Sequence, residues 1–187
     1  MLKIFIYSII SGKTMSDKYF TFISKKIGSK KFVNLLKSIY EHSPWVPERL
    51  LSKEGIEIKT KRELHIQMKQ IVDDASKLEK LNLIRAHPEL GNKLQKIKKL
   101  TKFSQEEQKS VGLDQCTEEE YKILTNLNKE YRSKFEFPFI IAVKGLSKNY
   151  IIENIKKRVK NSQEEEFKTA ISEIHKIAKL RINDLTY

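Results

Sequence analysis

Four residues of this chain have side chains whose type and placement suit proton transfer or anion binding: His87, Ser104, Glu107 and Arg181. His87 stands in Arg85-Ala86-His87-Pro88-Glu89-Leu90-Gly91. An imidazole titrates near neutral pH, so it can give or take a proton without large tuning. Pro88 pushes the residue before it out of helical geometry, and Gly91 permits a tight return. Such a loop can hold the ring at the mouth of a cavity; the other reading is that His87 only caps a helix end or faces solvent. Ser104 and Glu107 have the spacing of a capping box for a helix beginning at Gln105. The same helix start would expose backbone amides that favour an anion, so the pair reads either as helix punctuation or as part of a binding site. Helical steps from Ile174 through Ala178 bring Arg181 onto an apolar face. A guanidinium there needs an anion or several acceptors, unless it snorkels out at the helix end or bonds the last carbonyls. His42, His65 and His175 show no spacing with acids or Cys116 that suggests a metal site, so no metal is expected.

The elements that must position these groups are helical. Apolar residues recur at helical spacing almost throughout, which argues for an all-α bundle rather than a sheet. Phe32, Leu35, Leu36 and Ile39 form a short stripe that ends at Ser43-Pro44-Trp45-Val46-Pro47, where two prolines are expected to break the helix. Leu64, Met68, Ile71, Val72, Ala75 and Leu78 form a longer stripe after Thr60, which must stop before His87. Three later helices carry start signals, Ser104 with Glu107, Thr117 with Glu120 and Ser162 with Glu165. The run Phe135-Glu136-Phe137-Pro138-Phe139-Ile140-Ile141-Ala142-Val143 is β-prone and apolar, and Pro138 disfavours a central strand, so it reads as one buried extended segment. Ser147 then opens a helix with Ile151, Ile155 and Val159 on one side. The last helix turns Phe167, Ala170, Ile171, Ile174 and Ala178 inward.

Composition bounds the function classes. A chain of 187 residues suits one domain. Its net charge of +13 raises a second function class, a basic helical module for nucleic acid or an acidic partner, with Lys93, Lys96, Lys98, Lys99 and Lys102 as its strongest cluster. Yet 31 of the 37 basic residues are lysines scattered from Lys3 to Lys179 among 24 acids, the pattern of solvated helix faces. One cysteine excludes an intramolecular disulfide and fits a reducing cytoplasm. Ile4 to Ile10 is too short to span a bilayer, and residues 1–15 are expected to be a disordered or over-extended start, with Met15 a candidate initiator and the folded domain at 16–187.

Taken in order, several segments resemble the OHCU decarboxylase family. They are Glu41-His42-Ser43-Pro44-Trp45, His87 to Gly91, Leu100-Thr101 with Ser104 to Gln108, Gly112-Leu113, Leu127-Asn128 with Tyr131, Phe135 to Gly145, and a tail including Arg158, Asn161, Glu165, Ala170, Ile177-Ala178 and Leu180-Arg181. Each piece is weak alone; the ordered set with its intervening lengths is specific. One departure stands out, Glu136 where the family commonly has glycine before Phe-Pro.

The resemblance implies an all-helical domain, usually a homodimer, that needs neither metal nor organic cofactor. It implies decarboxylation of 2-oxo-4-hydroxy-4-carboxy-5-ureidoimidazoline to (S)-allantoin in urate degradation, on a small-molecule substrate and with no nucleic acid or membrane partner. The family's catalytic histidine and glutamate match His87 and Glu107. Its substrate contacts match Pro88, Ser104, Gln105, Glu106, Gln108, Phe139, Ile140, Ile141, Ala142 and Val143, and its substrate-binding arginine falls on Arg181. His87 and Glu107 would handle two proton movements, with His87 favoured as the acid and the amides of Ile140 to Val143 orienting the ureido group.

Overall fold

Serine and threonine punctuate this chain. A computed structural model describes residues 29–53, 58–91 and 100–185, and contains eight α-helices and one 3-10 turn in that part of the chain. Six of the eight helices begin on a Ser or Thr whose side-chain oxygen accepts a backbone N–H of the first turn. Each such cap stabilises its helix by about 1 kcal/mol. Short α1 (Ser29–Leu36) and α2 (Trp45–Leu51) come first. The prolines expected to break the chain instead start α2: Pro44 is its N-cap and Pro47 lies in its first turn, where no amide is needed.

The long stripe from Leu64 to Leu78 is not one helix. It divides into α3 (Lys61–Asp73) and α4 (Lys77–Ala86), because Ser76 and Glu79 form a capping box that opens a new helix. Leu78 consequently falls on the outer face and is 65% exposed. Next come α5 (Lys102–Ser110), the 3-10 turn Leu113–Gln115, α6 (Glu118–Phe135), α7 (Lys148–Arg158) and α8 (Gln163–Asp184). The expected boxes at Thr117 with Glu120 and Ser162 with Glu165 are present, and Ser147 caps α7.

The last helix, α8, has 22 residues and so a length of about 33 Å. It packs against α3, α4 and α6, while α1 lies on α2, α2 on α3 and α7 on α6. Its buried face carries Ala170, Ile174, Ala178 and Ile182 against a core that includes Leu36, Ile39, Leu64, Met68, Leu83 and Ile84. Each large side chain buried there stabilises the fold by about 1.5–3 kcal/mol. Phe137 to Val143 forms the buried extended segment that the sequence suggested, without regular secondary structure. It is clamped from outside: Arg158 donates to the Ile140 carbonyl at 2.7 Å and lies over the Phe139 ring, and Glu173 accepts the Ala142 amide at 2.9 Å. Arg158 is itself held by buried Glu166, which also takes the Tyr131 hydroxyl.

Glu136 ends α6 in the left-handed region, at φ 62°. Glycine usually fills that role because a Cβ there is strained. The glutamate noted in the sequence therefore adds strain to this turn. Lysines on the described surface pair with acids, among them Lys144 with Asp184, Lys148 with Glu120 and Lys156 with Glu153. Of the basic cluster at Lys93, Lys96, Lys98, Lys99 and Lys102, only Lys102 belongs to the described residues, and residues 1–15 lie wholly outside them. No described helix is long and apolar enough to cross a membrane.

Candidate active site

The C-terminus of α4 positions the imidazole. His87 is the C-cap of that helix, at φ −75° and ψ 141°, extended as the following proline requires. Its Nδ1 lies 2.9 Å from the Leu83 carbonyl. A carbonyl only accepts, so Nδ1 carries the proton and Nε2 keeps its lone pair when the ring is neutral. Nε2 is buried and has no hydrogen-bond partner among the described residues. One ring nitrogen thus bonds the helix end, and the residue lines a cavity. Burial pushes the His87 pKa down to about 4, with Arg181 adding to the shift and Glu41 opposing it. The ring is therefore neutral at pH 7. With Nδ1 protonated, the neutral ring offers Nε2 as a proton acceptor.

The start of α5 is one turn earlier than the Ser104 and Glu107 pattern suggested. Thr101 is the N-cap and accepts the Ser104 amide, so Ser104 and Glu107 are not a capping box. Three residues apart inside a helix, they share a face, and that face turns toward Arg181. Arg181 is 2% exposed, on the inner side of α8 as helical spacing implied. Its Nε and Nη2 donate to the two oxygens of Glu107, both at 2.7 Å, a bidentate pair. Nη2 also donates to Ser104 Oγ at 3.0 Å; Nη1 donates to Glu41 Oε2 at 2.8 Å and to the Ser38 carbonyl at 3.0 Å. All five N–H groups of the guanidinium are thereby engaged within the protein. In this geometry Arg181 holds Glu107 rather than offering a free donor to a ligand.

These groups surround a cleft of about 340 Å³, its open mouth included, lined by His87, Pro88, Leu90, Ser104, Glu107, Gln108, Phe139, Ile140, Ile141, Val143, Ile177 and Arg181. Gln108 reaches back to the loop after His87, accepting the Gly91 amide at 3.1 Å. Gly91 has φ +70°, and a Cβ there would meet Leu124 Cδ1 at 2.9 Å, so the tight return read from the sequence does require glycine.

Three of the expected contacts are not on this cleft. Gln105 turns away and donates to the Leu100 carbonyl, Glu106 is exposed, and the Ala142 amide, expected to orient a ligand, is taken by Glu173. Consecutive residues of a helix or an extended segment cannot all face one side, which is why the whole runs do not converge. Conversely, Leu90, Ile177 and Glu41 were not singled out as site residues. Glu41 is 1% exposed and accepts from Thr101, Ser104 and Arg181. An acid directly after the apolar pair Ile39-Tyr40 is the signal that could have marked it. Among the described residues, no three His, Cys, Asp or Glu side chains gather as a metal-ligand set.

Residues 25–183 match the family model of OHCU decarboxylase. The chain belongs to the OHCU decarboxylase family. A Haloferax volcanii 2-oxo-4-hydroxy-4-carboxy-5-ureidoimidazoline decarboxylase is 40% identical over 157 residues, 84% of this chain and 90% of that protein. A uric acid degradation bifunctional protein of Bacillus sp. strain TB-90 is also 40% identical, over 86% of this chain, but the match spans only 31% of its own length. Among solved structures, a crystal structure of (S)-allantoin synthase superposes with a TM-score of 0.70 at 30% identity, covering 91% of this chain and 53% of that one. The all-helical fold is shared with a crystal structure of OHCU decarboxylase, at a TM-score of 0.61 and 20% identity over 96% of that chain.

Proposed function

We propose that this chain decarboxylates 2-oxo-4-hydroxy-4-carboxy-5-ureidoimidazoline to (S)-allantoin, a step of urate degradation, with His87 and Glu107 as catalytic residues. The observation that carries the reading is the buried, unpartnered Nε2 of His87 on a small cleft shared with a fixed carboxylate. A polar atom left unsatisfied in a folded core costs stability, and a substrate hydrogen bond is what it lacks. Family membership and the activities named for similar proteins point to the same substrate and product.

The chemistry needs no external electron sink. The substrate's carboxylate and hydroxyl share a ring carbon adjacent to a carbon–nitrogen double bond. When the bond to the carboxylate breaks, its electron pair forms a carbon–carbon double bond in the ring. The carbon–nitrogen π pair moves onto nitrogen, which takes a proton, and carbon dioxide leaves. The resulting aminoenol becomes allantoin when its hydroxyl loses a proton and the neighbouring carbon gains one. His87 Nε2 accepts the hydroxyl proton and, now an imidazolium, is the acid that returns a proton to one face of that carbon. Glu107, fixed by both arms of the Arg181 fork, accepts hydrogen bonds from the ureido or ring N–H groups and orients the ring. Ser104, Gln108 and the backbone of Ile140, Ile141 and Val143 complete the contacts, and Pro88, Phe139 and Ile177 form apolar wall. Excluding water matters because protonation by bulk solvent would act on either face.

The same reading takes the enzyme as a cytoplasmic homodimer acting on a small molecule, with a molar mass near twice that of one chain as the check. The direct test uses freshly generated substrate. The protein should accelerate carbon dioxide release and yield one hand of allantoin by circular dichroism; spontaneous rates with racemic product would refute the function.

A further inference from the structure

The cluster around Arg181 contains one carboxylate more than the guanidinium needs. Glu107 already pairs with it in bidentate fashion, yet Glu41 lies against its other edge with its side chain wholly buried. Burying a second carboxylate beside a single cation is expensive. The backbone adds to the cost: Glu41 has φ 49°, one of two non-glycine residues in the left-handed region among those described. Strain and buried charge kept together mark places where geometry serves chemistry.

Glu41 is also held by three side-chain donors. Oε1 accepts the Thr101 hydroxyl at 2.9 Å, and Oε2 accepts the Ser104 hydroxyl at 2.8 Å and Arg181 Nη1 at 2.8 Å. Ser104 Oγ in turn accepts Arg181 Nη2 at 3.0 Å, so Glu41, Ser104 and Arg181 close a ring of hydrogen bonds. The backbone is pinned from the other side, because the Tyr40 hydroxyl donates to His175 Nδ1 at 3.0 Å and His175 Nε2 donates to Asp73 at 3.0 Å. Glu41 does not line the cleft. Its route to the reaction runs through Arg181 and Ser104.

We propose that Glu41 is a positioning residue for the decarboxylation, whose buried carboxylate locks the plane of Arg181 so that Glu107 is presented in one orientation, and whose charge supports the imidazolium that His87 becomes. The inference rests on the function proposed above. With Nη1 held by Glu41 and the Ser38 carbonyl, the guanidinium cannot rotate, and the Nε and Nη2 edge stays directed at Glu107. The field at His87 has few other sources: Glu41 and His42 after α1, Arg181 from α8, the Leu83 carbonyl of α4, and Glu107 beyond Arg181. Glu41 alone among the charged groups acting directly on the ring favours its protonated form.

The test compares wild type, Glu41→Gln and Glu41→Asp in turnover of freshly generated substrate, each rate normalised to folded protein. Glu41→Gln should lower kcat on the order of tenfold to a hundredfold, as small misplacements of catalytic groups do, with KM within about twofold because Glu41 touches no substrate. It should also move the NMR titration of the His87 ring to lower pH, whereas Glu41→Asp, which keeps the charge and loses reach, should lower kcat and leave that titration near its wild-type position. Unchanged kcat and an unmoved titration in folded Glu41→Gln overturn the inference. If Glu41→Gln does not fold, Glu41→Asp carries the test: it keeps every charge and the Thr101 cap of α5 but shortens the reach to Arg181, so kcat must fall at constant KM, and an unchanged kcat overturns the inference. An inactive wild type would instead overturn the function itself.

Discussion

Replacing Arg181 by methionine should destabilise the protein by about 3–5 kcal/mol, the usual effect of removing one partner from a buried ionic network. Methionine keeps most of the apolar stem, so the change isolates the guanidinium. Five groups lose a donor in one stroke: Glu41, whose side chain has no exposure, Glu107, with 23%, Ser104 Oγ, and the Ser38 and Ile39 carbonyls. Glu107 can turn toward solvent at the mouth of the cleft; Glu41 cannot. Most of the deficit is therefore the buried charge of Glu41 standing unopposed. For a chain of this size, 3–5 kcal/mol lowers Tm by roughly 6–20 °C. The assay is urea and thermal unfolding followed by far-ultraviolet circular dichroism. A pH signature accompanies it. In wild type the Arg181 charge and hydrogen bonds outweigh burial and hold the Glu41 carboxyl below its ordinary value, so its contribution is present above pH 4.5 and is lost as pH falls through the depressed pKa. In Arg181→Met the Thr101 and Ser104 hydroxyls still favour the carboxylate, but burial loses its main opponent and that pKa rises, the folded state binds the extra proton more readily, and the deficit should shrink as pH is lowered from 7 to 5. An Arg181→Met protein within about 1 kcal/mol of wild type would show that the guanidinium is not the keystone of the cluster and that the hydrogen bonds described here are not its main role.

Three further outcomes follow from the same coordinates. The acid limb of kcat/KM should fall near pH 4 rather than near the ordinary histidine value of 6.5, because burial lowers the His87 pKa and the reaction needs its free Nε2; a limb at pH 6 or above would contradict that environment. Glu136→Gly should raise stability by about 1 kcal/mol in urea unfolding, since it relieves φ 62° at an exposed position whose ion pair with Arg85, at 3.7 Å, is a weak surface contact. Gly91→Ala should cost roughly 1–3 kcal/mol in the same assay, combining left-handed strain with a 2.9 Å approach to Leu124, and should lower turnover because Gln108 is anchored on the Gly91 amide.

Much of this architecture was readable from residue order because local chemistry and global fold agree. The boxes at Thr117 and Ser162 and the cap at Ser147 lie where the serines and threonines indicated, and Pro88 ended α4 at His87. Arg181 was reachable by counting helical turns from Ile174. The misreadings share one cause, that a short pattern does not say which of its two uses is in force. Ser104 and Glu107 satisfy the capping-box spelling, but Thr101, three residues earlier, took the cap, and the pair was left to face inward. Ser76 with Glu79 has the same spelling inside an apolar stripe, and there it does start a helix, which splits the stripe and exposes Leu78. Glu41 was hidden for a different reason. Its role depends on a left-handed backbone and on partners 60, 63 and 140 residues away, and no local periodicity encodes either.

The proton path through His87 is tested most directly by wild type and His87→Gln side by side, each given freshly generated ureidoimidazoline carboxylate while the rate and handedness of allantoin are followed by circular dichroism. Wild type should be fast and give a single hand, and a folded His87→Gln protein should lose at least a hundredfold in kcat and let much of its product form with both hands. A His87→Gln enzyme that keeps both wild-type rate and wild-type handedness would place the chemistry elsewhere.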